Sequence, residues 1–214
     1  MPTATDDPTR PREPARYGRV TPQAYLVRER AAEYRSEYFD GEIEAMAGAP
    51  EPHVIISGNI FGHLFSRLPP ACRAMQTEMK VRSEAANATM YPDVLVACGE
   101  RRYIDQRQDV LKNPVVVFEV LSPSTERKDR TTKASAYRLI ESLQAHVLVS
   151  QKEPRVEVYA RADDGSWPCT LYQGLDAIIR LEAIGCSLSL AEIYRDVLTA
   201  PPSATAEEVQ DVSR

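Results

Sequence analysis

Apolar positions along this chain alternate between two periods, and the change of period marks the elements. Thr21 and Pro22 precede Ala24, Tyr25, Leu26 and Val27; a threonine cap followed by a first-turn proline predicts a helix. Between Glu37 and Met46 the Asp40-Gly41 pair predicts a β-hairpin turn. Ile56, Ile60, Leu64 and Leu68 recur at helical spacing and predict a helix over residues 53–68. Short strands are expected near residues 71–75, 78–82, 92–98 and 115–121, the third opened by Pro92, where proline is tolerated. Beyond the polar break Ser122-Pro123-Ser124-Thr125, Asp129 is the expected N-cap of a helix over residues 130–141, with a strand over 145–150 after it. That strand–helix–strand unit implies a parallel pair joined by a right-handed crossover. Residues 155–160 and 169–173 predict an antiparallel pair around the Asp163-Asp164-Gly165 turn, and a last helix starts near Ser189. The fold class is α/β: a mixed β-sheet flanked by helices, with an N-terminal helix and β-hairpin.

Composition sets the organisation. Residues 1–18 hold four prolines and many charges and predict a disordered arm; residues 201–214 predict a flexible tail. Residues 19–200 between them form one expected domain. At 214 residues, 43% hydrophobic and 27% charged, the chain can bury a substantial core. No apolar run reaches the roughly 18 residues of a membrane span, and the start lacks a signal pattern, so no membrane partner and a cytoplasmic location are expected. Cys72, Cys98, Cys169 and Cys186 lack metal-knuckle spacing and are expected to be buried reduced thiols. The net charge of −5 argues against a broadly basic nucleic-acid surface. It is compatible with a local basic face, or with a metal ion that adds positive charge where phosphate would sit.

The candidate chemistry begins with a misplaced acid. The run from Val115 to Leu121 reads as a strand buried on both faces, yet Glu119 interrupts it. An ionised carboxylate there costs several kcal/mol unless a cation or good donors compensate. Asp93 lies in a similar run. Alternation puts Val115, Val117, Glu119 and Leu121 on one face and Val116, Phe118 and Val120 on the other. In the next helix Lys133, Tyr137 and Ile140 share a face, which aims Lys133 inward. Asp93, Glu119 and the Val120 carbonyl form a hard oxygen donor set suited to Mg²⁺ or Mn²⁺, with Lys133 placed to orient a water or to stabilise charge on a phosphate. The bland alternative for Glu119 is a buried ion pair with Lys133 or Arg127 and no metal.

Four residues are auxiliary candidates. Glu42 is either a water-mediated metal contact or a solvated turn acid, and His53 either meets phosphate or fills a first helical turn. Lys80 and Arg82 share a strand face that either meets a phosphate backbone or is simply wet. Ser122, Ser124 and Thr125 lack a nucleophile-elbow pattern and read as capping and loop hydroxyls.

Taken in order, Asp-Gly-Glu from Asp40, Tyr-Pro-Asp-Val from Tyr91, Phe-Glu-Val-Leu-Ser-Pro-Ser-Thr from Phe118 and Asp-Arg-x-x-Lys-x-x-x-Tyr from Asp129 resemble the Uma2 family over roughly residues 20–195. That family is regarded as part of the PD-(D/E)xK, restriction-endonuclease-like superfamily. The resemblance implies that Asp93 and Glu119 are the two metal acids. Leu121 stands where the wider superfamily places its lysine, and the Uma2 pattern has a lysine at Lys133 instead. This chain departs at His146-Val-Leu-Val-Ser, where Uma2 members often show a Trp-x-Val-Asp-Pro strand. The implied function is a Mg²⁺- or Mn²⁺-dependent endonuclease hydrolysing phosphodiester bonds of nucleic acid, DNA foremost. A homodimer fits the need to cut two strands. The alternative is a catalytically impaired nuclease-fold module that binds nucleic acid or another partner; a metal-dependent hydrolase of smaller phosphate esters is a weaker third reading.

Overall fold

Thr21 caps the first helix, α1 (Pro22–Glu29), through a hydroxyl that accepts the Ala24 amide at 3.2 Å; Pro22 occupies the first turn, where its missing N–H costs nothing. The computed structural model describes residues 19–76 and 78–197; the expected arm (1–18) and tail (201–214) lie outside the described residues. The hairpin follows as β1 (Ser36–Phe39) and β2 (Glu42–Ala45). Asp40 and Gly41 adopt positive φ values of 43° and 97°, as a two-residue primed turn requires. A Cβ at Gly41 would lie 2.5 Å from Arg19 Cβ, so glycine is needed there on packing grounds too.

Helix α2 (Glu51–Arg67) buries Ile56, Ile60 and Leu64, the stripe its spacing predicts. The next strands are β3 (Cys72–Gln76), β4 (Lys80–Ser83), β5 (Ala88–Met90), β6 (Val94–Cys98), β7 (Val110–Leu111) and β8 (Val116–Leu121). Of these, β5 and β7 are additional to the sequence expectation, being too short to show a period of their own. A continuous helical stretch follows: α3 (Glu126–Lys128), a π-helical turn (Asp129–Lys133) and α4 (Ala134–Arg138). Asp129 is therefore inside the helical stretch rather than its N-cap, and the stretch starts and ends earlier than residues 130–141. Strands β9 (Ala145–Ser150), β10 (Arg155–Ala160) and β11 (Cys169–Gln173) match expectation. Strands β12 (Ile178–Leu181) and β13 (Cys186–Ser189) form a separate ribbon before α5 (Leu190–Ile193), which Ser189 caps.

Six strands form a sheet in the order β11-β10-β9-β8-β6-β3; β8 and β9 are parallel and the other neighbours antiparallel, so the sheet is mixed. A five-stranded sheet runs β2-β1-β5-β4-β7. Both faces of β8 are covered. Val116, Phe118 and Val120 join Ile56, Ile60 and Leu64 of α2 in one cluster. Val117 joins Ala136, Tyr137 and Ile140, with Val81 and Met90 from the smaller sheet, in the other. Each fully buried apolar side chain there contributes roughly 1.5–3 kcal/mol, which makes a carboxylate in the same strand a feature that needs compensation.

Cys72 and Cys98, opposite each other across β3 and β6, form a disulfide, which corrects the expectation of reduced thiols; Cys186 is a buried free thiol and Cys169 an exposed one. The two bonded residues meet only through strand register, which spacing along the chain does not reveal. Among the described residues no helix is long and apolar enough to cross a membrane.

Candidate active site

Glu119 reaches the site from the middle of β8 and is 3% exposed. Lys133 Nζ lies 2.7 Å from its Oε1, and the Tyr137 hydroxyl donates to the same oxygen at 2.8 Å. Lys133, Tyr137 and Ile140 are all buried, as their shared helical face predicts. The π turn adds Asp129, whose Oδ1 is 3.5 Å from Lys133 Nζ and which also takes a hydrogen bond from the Thr125 side chain. π turns occur frequently at functional sites.

Asp93 stands where a backbone ladder ends. Strands β6 and β8 pair from Val96↔Val116 to Val94↔Phe118, and Pro92 has no N–H to extend the ladder. The Asp93 side chain takes over: Oδ2 accepts the Val120 amide at 2.7 Å, and His53 Nε2–H donates to Oδ1 at 2.9 Å. The start of α2 is thus tied to the start of β6. The Nδ1 of His53 is buried without a hydrogen-bond partner among the described residues.

Sequence reasoning missed Glu37, Asp129 and Lys128 as members of this group. Glu37, buried in β1, places Oε1 3.2 Å from Lys133 Nζ and Oε2 2.7 Å from Lys128 Nζ, and accepts the Tyr91 amide at 3.1 Å. Lys128 Nζ is also 2.9 Å from Glu44 Oε2. A signal was available. The two-residue turn fixes the register that sets Glu37 opposite Glu44, and two acids directly opposed across a hairpin are destabilising unless a cation lies between them.

Electrostatics follows from this crowding. Burial pushes the Glu119 carboxyl well above the usual carboxylate range; Lys133 pulls it down, while Asp129, Asp93 and Glu37 push it up. Burial also lifts Asp129, against the pull of Lys133. Burial would lower Lys133, but Glu119, Glu37, Asp129 and Asp93 outweigh it and hold the ammonium charged. Burial alone would raise Glu37; Lys133 and Lys128 reverse the effect and keep it low. Three carboxyl groups therefore lie within 3.5 Å of one enclosed cation, with a second lysine at the rim.

Other candidates fall elsewhere. Glu42 is exposed, opposite Phe39 and two pairs beyond Glu37 and Glu44 on the hairpin. Lys80 and Arg82 form neither a wet face nor a phosphate surface, because both are buried and engaged. Lys80 lies 3.3 Å from Asp109 and over the Tyr91 ring; Arg82 donates to Asn87 and Thr89. Ser122 Oγ accepts the Thr125 amide at 3.2 Å and bonds the Ser124 and Thr125 hydroxyls, a loop and capping role. Leu121 is buried in β8, so the position two after Glu119 offers no charge.

The family model Uma2, described as "Putative restriction endonuclease", matches residues 22–191. The chain belongs to the Uma2 family. The chain is also similar to two proteins of Synechocystis sp., each named only as uncharacterized. One, slr1290, is 33% identical over 183 residues, covering 85% of this chain and 94% of its own. The other, sll1609, is 33% identical over 166 residues, covering 75% of this chain and 91% of its own. A crystal structure from Anabaena variabilis, described as a putative nuclease belonging to DUF820, superposes with a TM-score of 0.67 at 20% identity, covering 82% of this chain and 97% of that one. The Uma2 chain shares that fold, the mixed sheet flanked by helices read from its sequence.

Proposed function

We propose that the chain is a metal-dependent endonuclease that hydrolyses phosphodiester bonds of nucleic acid, with DNA as the substrate. The observation that carries this reading is the pairing of Asp93 with Val120 beside the buried Glu119–Lys133 pair. Family membership supports the class of reaction.

The donor set fits Mg²⁺ or Mn²⁺. Its oxygens are hard ligands, and its excess of buried negative charge is a deficit that a divalent cation offsets. Among the described residues no three His, Cys, Asp or Glu side chains converge as a ready cage. Mg²⁺ needs no such cage, since it keeps several waters and commonly takes only one or two protein carboxylates. Asp93, Glu119 and the Val120 carbonyl are the residues that would hold it. A cation held there polarises a phosphoryl oxygen and lowers the pKa of its water. Tyr137 and Lys133 orient Glu119, His53 and the Val120 amide orient Asp93, and Lys133 holds Glu37 charged while opposing the effect of burial on Glu119 and Asp129. A homodimer would place two such sites on the two strands of a duplex.

The test is metal-dependent nicking of supercoiled plasmid by wild type, Asp93→Ala and Glu119→Ala. Nicking that needs Mg²⁺ or Mn²⁺ and disappears in both variants supports the proposal. A second reading, a nucleic-acid-binding or interaction module without turnover, draws on the uncharged Leu121 and the enclosure of Lys133. Wild-type protein that binds metal and nucleic acid but cuts neither DNA nor RNA would establish it instead.

A further inference from the structure

Resting on the nuclease reading, we infer that Lys128, and not Lys133, is the ammonium that meets the substrate phosphate. An ammonium has three N–H donors. Around Lys133 Nζ stand Glu119 at 2.7 Å, Glu37 at 3.2 Å, the Tyr91 carbonyl at 3.3 Å and Asp129 at 3.5 Å. Acceptors outnumber donors, and the side chain is only 5% exposed. Turning this ammonium toward a phosphate would strip buried carboxylates of their counterion, an arrangement that proteins sustain poorly.

Lys128 differs on each count. It lies on the far side of Glu37, which bridges the two lysines with its two oxygens. Its side chain is 26% exposed, and among the described residues its carboxylate partners are two, Glu37 and Glu44. Glu44 is itself about half exposed, so that pair is solvent-screened and weakly held. Exchanging Glu44 for a phosphate oxygen leaves the bond to Glu37 intact. The ammonium lies 4.5 Å from the centroid of the Phe39 ring, which limits its wandering. Asp93, the proposed metal acid, is reachable in the same measure, at 22%. Of these three side chains, Asp93 and Lys128 are thus open to a substrate, while Lys133 is an enclosed, fixed charge.

The experiment compares full-length wild type with Lys128→Gln, which keeps a donor for Glu37, and Lys128→Arg, which keeps the charge. It reads Mg²⁺-dependent plasmid nicking, and the affinity for a short DNA duplex across a salt series in Ca²⁺. Lys128→Gln should lower nicking roughly 100-fold and reduce the magnitude of the log–log salt slope by about one. Lys128→Arg should restore the slope and part of the nicking. If Lys128→Gln nicks and binds as wild type does, the assignment of Lys128 is overturned while the nuclease reading stands. If wild type binds without nicking and the slope still drops by about one, the phosphate contact is supported and the hydrolytic reading fails. If wild type neither nicks nor binds, the nuclease reading fails and the role of Lys128 falls with it.

Discussion

The carboxylate of Asp93 accepts the Val120 amide at 2.7 Å, taking the place of a backbone carbonyl where the β6–β8 ladder has ended. One side chain thus continues the pairing of two interior strands and is also the proposed metal acid.

These two duties separate in Asp93→Asn. The amide oxygen can still accept the Val120 N–H, so urea unfolding should stay within about 1 kcal/mol of wild type. Nicking should fall by at least about 100-fold, because the charge is gone. A variant that unfolds easily yet still cuts would reverse the assignment.

Lys133→Met strands Glu119, Glu37 and Asp129 without their shared counterion. Breaking a buried ion pair from one side costs about 3–5 kcal/mol, measured as a fall in urea midpoint. Adding Glu119→Gln removes one stranded charge and should recover part of the loss, with a coupling of about 1–3 kcal/mol in the double-mutant cycle. Strict additivity would mean that the two groups do not sense each other.

His146 makes stability depend on pH. It is fully buried, tilted against Tyr137 and stacked on Tyr159, with neither ring nitrogen hydrogen-bonded among the described residues. Burial, then Arg138 and Lys133, depress its pKa from 6.5 to about 3. The unfolded chain therefore binds a proton below about pH 6.5 that the native state refuses. This contribution is full above pH 6.5 and declines as pH falls toward 3, by about 1.4 kcal/mol per unit. Between pH 6.5 and 5 it amounts to about 2 kcal/mol. Urea titrations of wild type and His146→Leu should diverge by that amount, with the variant the flatter; parallel profiles would rule it out.

Metal should stabilise the fold by mass action. At roughly 100 times its Kd, Mn²⁺ should add about 2.7 kcal/mol, seen as a rise in Tm that EDTA reverses. Glu119→Ala should lose the rise and Lys128→Gln should keep it. An equal rise in Glu119→Ala would place the ion elsewhere.

Legibility in the sequence followed physical isolation. Glu119 stood out because it breaks an apolar run, and Lys133 because Tyr137 and Ile140 fix its helical face. The parallel β8–β9 pair followed from the strand–helix–strand order, and the hairpin from Asp40-Gly41. Glu37 was hidden because an acid in a hairpin rich in acids looks solvated until a second sheet covers it. Asp129 resembled a cap because a buried acid inside a π turn and an acid before a helix read alike. Lys80 and Arg82 suggested an open face for the same reason: alternation reports which residues share a side, not what lies against it.

Glu37 belongs to the five-stranded sheet and Glu119 to the six-stranded one, and Lys133 lies between them. The site is therefore a joint rather than a pocket carved into one element. Neither sheet alone gives Lys133 its full set of partners, so a half-assembled chain carries the acids without the enclosed ammonium that organises them. On the proposed nuclease reading the site is complete only when the two halves have closed on each other, and loosening the hairpin would take Glu37 from Lys133 without touching a residue of β8.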